Sequence, residues 1–187
     1  MITTILVIIA IALAVAIASA LIYASTAPDT FRVSRSALIG APAERIFPLI
    51  NDLRAQSQWS PFEKDPNMKR THSGAPTGKG AVYEWDGNRQ VGAGRIAITD
   101  SLPPSRVSLA LDMARPFEAH NTVDFMLEPS GAAATRVTWA MQGRQPFMAK
   151  LMSLFMNCDK MVGSQFEQGL AKLKALAEGK APQVAAE

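Results

Sequence analysis

The residue of this sequence best suited to do chemistry is Asp159, an acid within an apolar helical pattern. It follows Phe155 by four residues and precedes Val162 by three and Phe166 by seven, so all four share one helical face. An ionised carboxylate buried on such a face is costly unless it is paired or protonated. Asp159 is therefore either a polar anchor or raised-pKa acid at a pocket, or a structural carboxylate bound to a Trp, Tyr or Arg of a facing sheet. The structural interpretation is favoured, and a position at the solvent edge of the face also fits.

Two further carboxylates, Glu84 and Glu118, fall within predicted strands. Glu118 follows Phe117 near a strand end, where the mouth of a pocket could lie. If Asp159 met Glu118 or Tyr83 in a cavity, the pair could perform general acid–base catalysis. A solvated strand carboxylate is the commoner situation, so no catalytic residue is assigned.

Aromatic and other large apolar side chains supply most of the material for a binding pocket. Trp and Tyr combine a large apolar surface with one polar group, which suits a ligand cavity as well as a core. Any single one of them is more often a core residue, but in a fold with one large hollow some are expected to line it. With the carboxylates Glu118 and Asp159 included, the predicted lining residues are Trp59, Tyr83, Trp85, Phe117, Glu118, Phe125, Trp139, Met141, Phe155, Asp159, Val162 and Phe166.

Metal, cofactor and nucleic-acid sites are not predicted. His72 and His120 have no ligand spacing with each other or with Cys158, which as a single cysteine also excludes an internal disulfide. The glycines of 74–80 resemble a phosphate loop, but their spacing is one residue short and no Ser or Thr follows the lysine. The net charge of +3 is small and the basic residues are scattered, unlike a nucleic-acid-binding surface.

The N-terminus carries a hydrophobic segment. No charged residue precedes Asp29, and Ile2–Ala24 would form an apolar helix of about 35 Å, enough to cross a bilayer core. A membrane anchor is favoured over a signal peptide because the run exceeds an h-region and lacks a basic n-region, although Ser25–Ala27 could be a cleavage site. Arg32 and Arg35 follow the segment, so the positive-inside rule favours a cytoplasmic domain, with a secreted or periplasmic domain as the alternative.

The sequence divides into an anchor at 1–25, a linker at 26–30, one domain at 31–178 and a flexible tail at 179–187. The domain begins with a strand at Phe31–Ile39, a helix opening at Ala41–Glu44 and a short turn carrying Trp59. Alternating patterns then predict six strands and one long helix at Pro146–Glu178. The predicted strands are Met68–Ser73, Gly80–Asp86, Gly92–Ser101, Arg106–Ala114, Glu118–Glu128 and Thr135–Gln142.

This order predicts an α+β helix-grip fold. Consecutive strands with short connections form an antiparallel sheet, here of seven strands, wrapped on the long C-terminal helix and preceded by one transmembrane helix. Twist curls such a sheet, and a helix laid across its concave face need not fill the hollow.

Several segments resemble the START-like, or SRPBCC, superfamily of polyketide cyclase/dehydrase type. Ser36–Phe47 resembles its first strand and helix start, and Trp59–Phe62, Tyr83–Asn88 and Thr135–Trp139 resemble later landmarks. Asn157–Gly163 and Phe166–Leu170 resemble the closing helix of a bacterial subgroup with an N-terminal membrane anchor. The resemblance implies a hydrophobic pocket, but because the superfamily includes carriers, receptors and enzymes it implies no activity.

The leading functional hypothesis is a membrane-tethered domain that binds a small lipid-like or polyaromatic molecule between the sheet and the C-terminal helix, without a cofactor. Its expected partners are this ligand and, through the N-terminal helix, the membrane; no protein partner is identified. The alternatives are a cyclase- or aromatase-type enzyme that uses pocket carboxylates, and a protein-interaction module of chaperone-cofactor type. The last would have a filled cavity and an exposed apolar patch.

Overall fold

A computed structural model of the chain describes residues 2–131, 133–154 and 157–179. Its first element, α1 (Ile2–Thr26), is an exposed apolar helix with a mean hydropathy of 3.2, which suits a single membrane span or a signal sequence. Near its C-terminal end, Ala24 is fully buried. Residues 180–187 of the predicted tail lie outside the described residues.

The domain is built on one seven-stranded antiparallel sheet, as predicted. Its strand order is β1-β7-β6-β5-β4-β3-β2. A helix, α2 (Ala43–Asn51), and a 3₁₀ turn at Ala55–Gln58 connect β1 to β2, and two helices follow the last strand: α3 (Phe147–Ser153) and α4 (Cys158–Ala177). The strands are β1 (Thr30–Ile39), β2 (Lys69–Gly74), β3 (Ala81–Asp86), β4 (Ala93–Leu102), β5 (Arg106–Arg115), β6 (Ala119–Pro129) and β7 (Thr135–Arg144).

The two ends of the sheet differ in what surrounds them. At the end that we call the α1 end, Thr30 at the start of β1 pairs with Arg144 at the end of β7. The turns between β3 and β4 and between β5 and β6 lie at the same end, because each strand is antiparallel to its neighbours. The β6–β7 turn lies at the opposite end, which we call the far end.

Burial of the inner face, the face that α4 covers, decreases from the far end to the α1 end. α4 lies along β1 and also reaches β7, and α2 packs on β6. Three cross-strand rows nearest the far end are buried: Leu127 and Val137; Val107, Phe125 and Trp139; Ile98, Leu109 and Val123. Two rows nearer the α1 end are only partly buried: Tyr83, Ile96 and Leu111; Trp85, Gly94 and Met113.

The predicted long C-terminal helix is confirmed as α4, but its predicted start at Pro146 is wrong, because a separate short helix, α3, precedes it. Asn157 caps the second one: its side-chain Oδ1 accepts a hydrogen bond from the Lys160 backbone N–H at 2.9 Å. Phe166, Leu170 and Leu173 are buried on α4, whereas Phe147 on α3 is exposed.

Two glycines allow α4 to lie close to the sheet. A Cβ at Gly163 would lie 2.0 Å from Nη2 of Arg35, and a Cβ at Gly169 would lie 2.7 Å from Cζ3 of Trp139. Between these points the Phe166 ring stacks on Trp139, with centroids 4.2 Å apart and planes 9° apart. A side chain at Gly169 would push the helix off this stack, whereas one at Gly163 would displace the Arg35 guanidinium.

Arg35 of β1 binds the N-terminal half of α4, on the side where Gly163 faces the sheet. Its guanidinium donates to both carboxylate oxygens of Asp159, at 3.1 and 2.9 Å, and to Glu167 Oε1 at 2.8 Å. It also donates to the Asp159 carbonyl oxygen at 3.1 Å. The hydrogen bond from Arg35 lowers the pKa of the Asp159 carboxyl below its ordinary value.

We predict that Gly169→Ala destabilises the domain. Alanine favours a helix by about 1 kcal/mol over glycine, but crowding Trp139 costs about 1–3 kcal/mol, so the substitution lowers the free energy of unfolding. Chemical denaturation followed by tryptophan fluorescence measures the change. The control Gln168→Ala, at an exposed neighbouring position, should leave stability unchanged. A Gly169→Ala chain as stable as the unsubstituted chain would contradict this packing.

We also predict that Asp159→Asn lowers stability only above acidic pH. Because the pKa of Asp159 is lower in the folded chain than its unfolded value of about 3.9, the unfolded chain binds more protons as the pH falls. The contribution is complete above about pH 4 and is lost as the pH falls through the folded pKa. Thermal midpoints of the two chains should differ slightly at about pH 6 and converge at about pH 2. Glu128→Gln, on the distant exposed end of β6, should show no such convergence.

Candidate functional site

An aromatic cluster fills the space between α4 and the buried rows of the sheet. Trp59 meets Phe125 and Trp139 edge-on, with ring centroids 5.8 and 5.6 Å apart. Phe125 and Trp139 lie 4.9 Å apart, and Phe166 closes the cluster on the helix side. The predicted hollow is therefore occupied by core aromatics at this depth.

One polar atom inside the cluster has no partner among the described residues. Trp139 is only 6% exposed, and its Nε1–H meets no acceptor there. The other two indoles donate to backbone oxygens: Trp59 to Leu49 at 2.9 Å and Trp85 to Val91 at 3.2 Å. An unsatisfied buried donor is costly, so Trp139 Nε1–H is available to any acceptor that reaches it.

Towards the α1 end, the inner face carries a set of partly buried apolar side chains, which we call the open strip. Most of them lie in the two partly buried rows, and Met141 lies in the adjoining row beside Val123. Asn121 of β6 interrupts the apolar surface between Leu111 and Phe31. Its members are Phe31, Tyr83, Trp85, Ile96, Leu111 and Met141. Val162 of α4 lies partly buried at its helix side.

A glycine in β4 lets the strip lie flat. Gly94 pairs with Trp85 across β3 and β4, and a Cβ at Gly94 would lie 2.7 Å from Cη2 of the indole. The Trp85 ring therefore lies directly over the β4 backbone at Gly94, where a side chain would otherwise stand.

A polar network borders the strip at β2 and β3. Tyr83 OH donates to Glu63 Oε1 at 2.8 Å, and Arg70 donates to Glu63 Oε2 through Nε at 2.9 Å and Nη2 at 2.8 Å. Burial, followed by the hydrogen bond to Glu63, raises the pKa of the Tyr83 phenol. His72 stacks on Tyr83 at 4.9 Å, and desolvation lowers its pKa. At neutral pH the phenol is therefore protonated and the imidazole is neutral.

Asp65 fixes the segment that carries Glu63. Its buried carboxylate accepts backbone hydrogen bonds from Asn67 at 3.0 Å and from Asn88 at 2.9 Å. The segment after Trp59 is thereby tied to the β3–β4 turn, and Glu63 is held against the sheet.

Two open depressions lie near the junction of α1, β1 and α3. One, of about 310 Å³, adjoins the open strip at Phe31. Its lining is mixed: Tyr23, Phe31, Arg32, Val33, Gln145, Ser153, Asn157, Cys158 and Asp159. The other, of about 390 Å³, is lined by residues that include Ala24 and Lys150. The space for a ligand that these depressions provide is thus at the α1 end.

The structure separates the carboxylates that could have formed an acid–base pair. Asp159 is in the first turn of α4 and is bound to Arg35 of β1, so the favoured interpretation of a carboxylate paired with an Arg of the facing sheet is confirmed. Its side chain is 59% exposed, at the solvent edge of the face. The cause is the helix start at Cys158, which puts this turn at the edge of the domain. Glu118 lies in the β5–β6 turn with its side chain 81% exposed, 3.6 Å from Nε2 of His120.

The remaining predicted residues fall into three groups. Trp59, Phe125, Trp139 and Phe166 form the aromatic cluster, whereas Tyr83, Trp85, Met141 and Val162 belong to or border the open strip. Phe117 is 73% exposed at the tip of the β5–β6 turn. Phe155 lies outside the described residues.

Sequence reasoning missed Glu63, Arg70 and Arg35, the residues that make the polar contacts of the site. Arg35 sits at an inward position of β1, which alternation alone would have shown. Glu63 carried no signal, because its role depends on how an irregular segment folds over β2 and β3. Among residues 2–131, 133–154 and 157–179, no group of three or more His, Cys, Asp or Glu side chains could hold a metal ion.

Comparison with known proteins gives a consistent result. The family described as polyketide cyclase/dehydrase and lipid transport matches residues 30–178. No curated protein matches the sequence. Among solved structures, a protein from Mesorhizobium loti is similar at 16% identity, covering 81% of this chain and 99% of its own, with a TM-score of 0.59. A protein from Chromobacterium violaceum has 17% identity, the same coverages and a TM-score of 0.55.

An enzyme shares the same fold. Truncated norcoclaurine synthase from Thalictrum flavum is 8% identical, with 84% of this chain and 96% of that one covered and a TM-score of 0.60. At such identities the similarity concerns the fold alone. The match to the family covers nearly the whole sheet-and-helix domain, and the chain belongs to the polyketide cyclase/dehydrase and lipid transport family.

Proposed function

We propose that this protein is a membrane-tethered domain that binds a small hydrophobic molecule on the open strip, at the α1 end of the inner face. The observation that carries the proposal is the decrease in burial along that face. Apolar side chains continue beyond the part that α4 covers, and they remain partly exposed. A ligand laid on them would remove this apolar surface from water.

The chemistry of the strip suits a flat or chain-like apolar ligand. Trp85 and Tyr83 are stacked 6.0 Å apart at 26° and offer aromatic surface, while Leu111 and Met141 offer adaptable aliphatic surface. We therefore favour a flat or chain-like apolar molecule.

The proposed tether would keep the binding site close to apolar ligands dissolved in the bilayer. As a membrane span, α1 would keep the α1 end next to the bilayer, where apolar molecules concentrate. Tyr23 of α1 lines the same depression as Phe31, so the β1 edge of the strip lies next to the proposed span.

A protein-interaction function is the second candidate, and two observations favour it. Core aromatics fill the deep end of the predicted hollow, and α3 exposes apolar side chains. In that case the open strip would accept an apolar side chain of a partner in place of a small molecule.

Native mass spectrometry of the full chain ejected from detergent micelles tests the binding function. We expect a reproducible apolar adduct, which organic extraction identifies. Leu111→Arg should abolish it, because a guanidinium in the middle of the strip is costly to desolvate under an apolar ligand. The matched control is Thr122→Arg on the outer face of β6, where an exposed Arg should leave the adduct in place.

Thermal unfolding of both variants ensures that any loss comes from the strip and not from misfolding. If no adduct appears, or if Thr122→Arg loses it as readily as Leu111→Arg, binding on the open strip is contradicted. A peptide or protein adduct in its place would favour the interaction function.

A further prediction separates binding from catalysis. Both oxygens of Glu63 are engaged, so we expect Glu63→Gln to loosen the segment after Trp59 and lower stability without changing the mass of the bound molecule. If Glu63 were a catalytic acid or base, the variant would accumulate a molecule of different mass, the unconverted substrate. Tyr83→Phe, which removes the same hydrogen bond from the other side, serves as the comparison.

A further inference from the structure

We infer that the α1 end of the domain rests on the lipid surface through the tip of the β5–β6 turn and the exposed face of α3. This inference rests on the proposed membrane tether. It adds a second, non-spanning contact that fixes the orientation of the domain. We call the two parts together the docking surface: Phe117 at the turn, with Phe147, Met148, Met152 and Leu154 around α3.

The first argument is the shortness of the connection. Ala27, Pro28 and Asp29 are the only residues between α1 and β1. Even fully extended, three residues span about 11 Å at most. If α1 crosses the bilayer, the start of β1 must lie within or just above the headgroup region.

The second argument is that α3 is held at this point. The Lys150 side chain is buried, and its Nζ donates to the Ala27 carbonyl oxygen and to Asp29 Oδ1, each at 2.7 Å. α3 also packs against α1. The polar side of α3 is thus bound to the linker, and the helix cannot move away from the end of the proposed span.

The third argument is that the side of α3 not bound to the linker is apolar and exposed. The apolar side of α3 faces solvent, with Met148 66% exposed, and Phe147, Met152 and Leu154 are also exposed. A helix with one bound polar side and one apolar side next to a span suits the interface between headgroups and acyl chains.

The fourth argument is that a second, separate apolar group occurs at the same end. Phe117 is 73% exposed in the β5–β6 turn. Met113 pairs with Ala119 below this turn, and Asn121 pairs with Gly143 near the end of β7. The topology therefore brings Phe117 to the end of the sheet where α1 and α3 lie, although it is distant from both in sequence.

Charge does not account for this surface, so the contact is apolar. The exposed charged residues at this end include Asp29, Arg32, Lys69, Asp86, Arg89, Arg115, Glu118 and Arg144. The acidic groups offset part of the basic charge and the side chains of the docking surface are uncharged, so uncharged phosphatidylcholine bilayers should support the contact. A phosphatidylcholine membrane is accordingly the probe for the experiment.

Fluorescence quenching of the full chain in phosphatidylcholine nanodiscs tests the inference. Cys158, which is exposed, is first replaced by Ser, and a single reporter cysteine is then introduced at Glu118 beside Phe117 or at Ser130 in the far-end β6–β7 turn. Each carries an environment-sensitive dye. Lipids that bear a nitroxide near the headgroup should quench the dye at 118 and leave the dye at 130 unquenched.

Substitution of the anchor side chain gives the decisive comparison. Phe117→Ser should remove most of the quenching at 118 without lowering the thermal midpoint, because Phe117 is exposed. Leu102→Ser, which changes an exposed apolar side chain at the far end, should not affect it. Equal quenching at 118 and 130, or quenching that survives Phe117→Ser, would overturn the inference.

Two more readouts separate the possible failures. Flotation of the full chain with phosphatidylcholine vesicles reports the tether alone: a chain that floats but shows no quenching at 118 retains its anchor and lacks the docking contact. A chain that does not float lacks the membrane anchor as well as the docking contact, and contradicts both proposals. Shielding of position 118 in detergent, together with a dimeric mass, would assign the docking surface to a second copy of the chain and overturn the lipid contact.

Discussion

The stack of Phe166 on Trp139 determines which part of the sheet can bind anything. It forms because α4 lies in close contact with the Trp139 ring at Gly169, where no side chain intervenes. With α4 placed there, the rows of the far end are sealed and the two rows next to α1 stay partly open. Arg35 then binds the N-terminal half of this helix through hydrogen bonds to Asp159 and Glu167. A shift of α4 by one turn would seal a different part of the face.

The sheet could be predicted from the sequence because alternation reports directly on a half-buried strand. The predicted strand of residues 106–114 ends one residue before the observed β5, Arg106–Arg115, and the other strands were placed about as well. The C-terminal helix was harder, since the apolar period continues through 147–154. The signal for its division was Asn157 followed by Asp159, an N-cap and a first-turn acid, and the helical pattern obscured it.

The site itself was only half predictable. Aromatic residues were identified by type, but their division between the closed cluster and the open strip depends on where α4 crosses, which no local pattern encodes. The spacing of Asp159 placed it on the sheet-facing stripe and favoured a partner on the sheet, which is Arg35, but the start of the helix immediately before it leaves the carboxylate exposed. The Glu63 network needs an irregular segment to fold back over β2 and β3, held by Asp65, and such long-range contacts have no periodicity.

The arrangement of polar groups bears on the choice between a binding protein and an enzyme of the same fold. A general base needs a lone pair directed at the substrate, whereas Tyr83 holds the Glu63 carboxylate through one oxygen and Arg70 holds it through the other, which favours a structural role. The raised pKa of Tyr83 keeps its proton in this bond at neutral pH. What remains accessible beside it is apolar surface that faces the end from which α1 leaves. A proposed span joined to that surface by three residues would place it where apolar molecules are most concentrated, so even a shallow site could remain occupied.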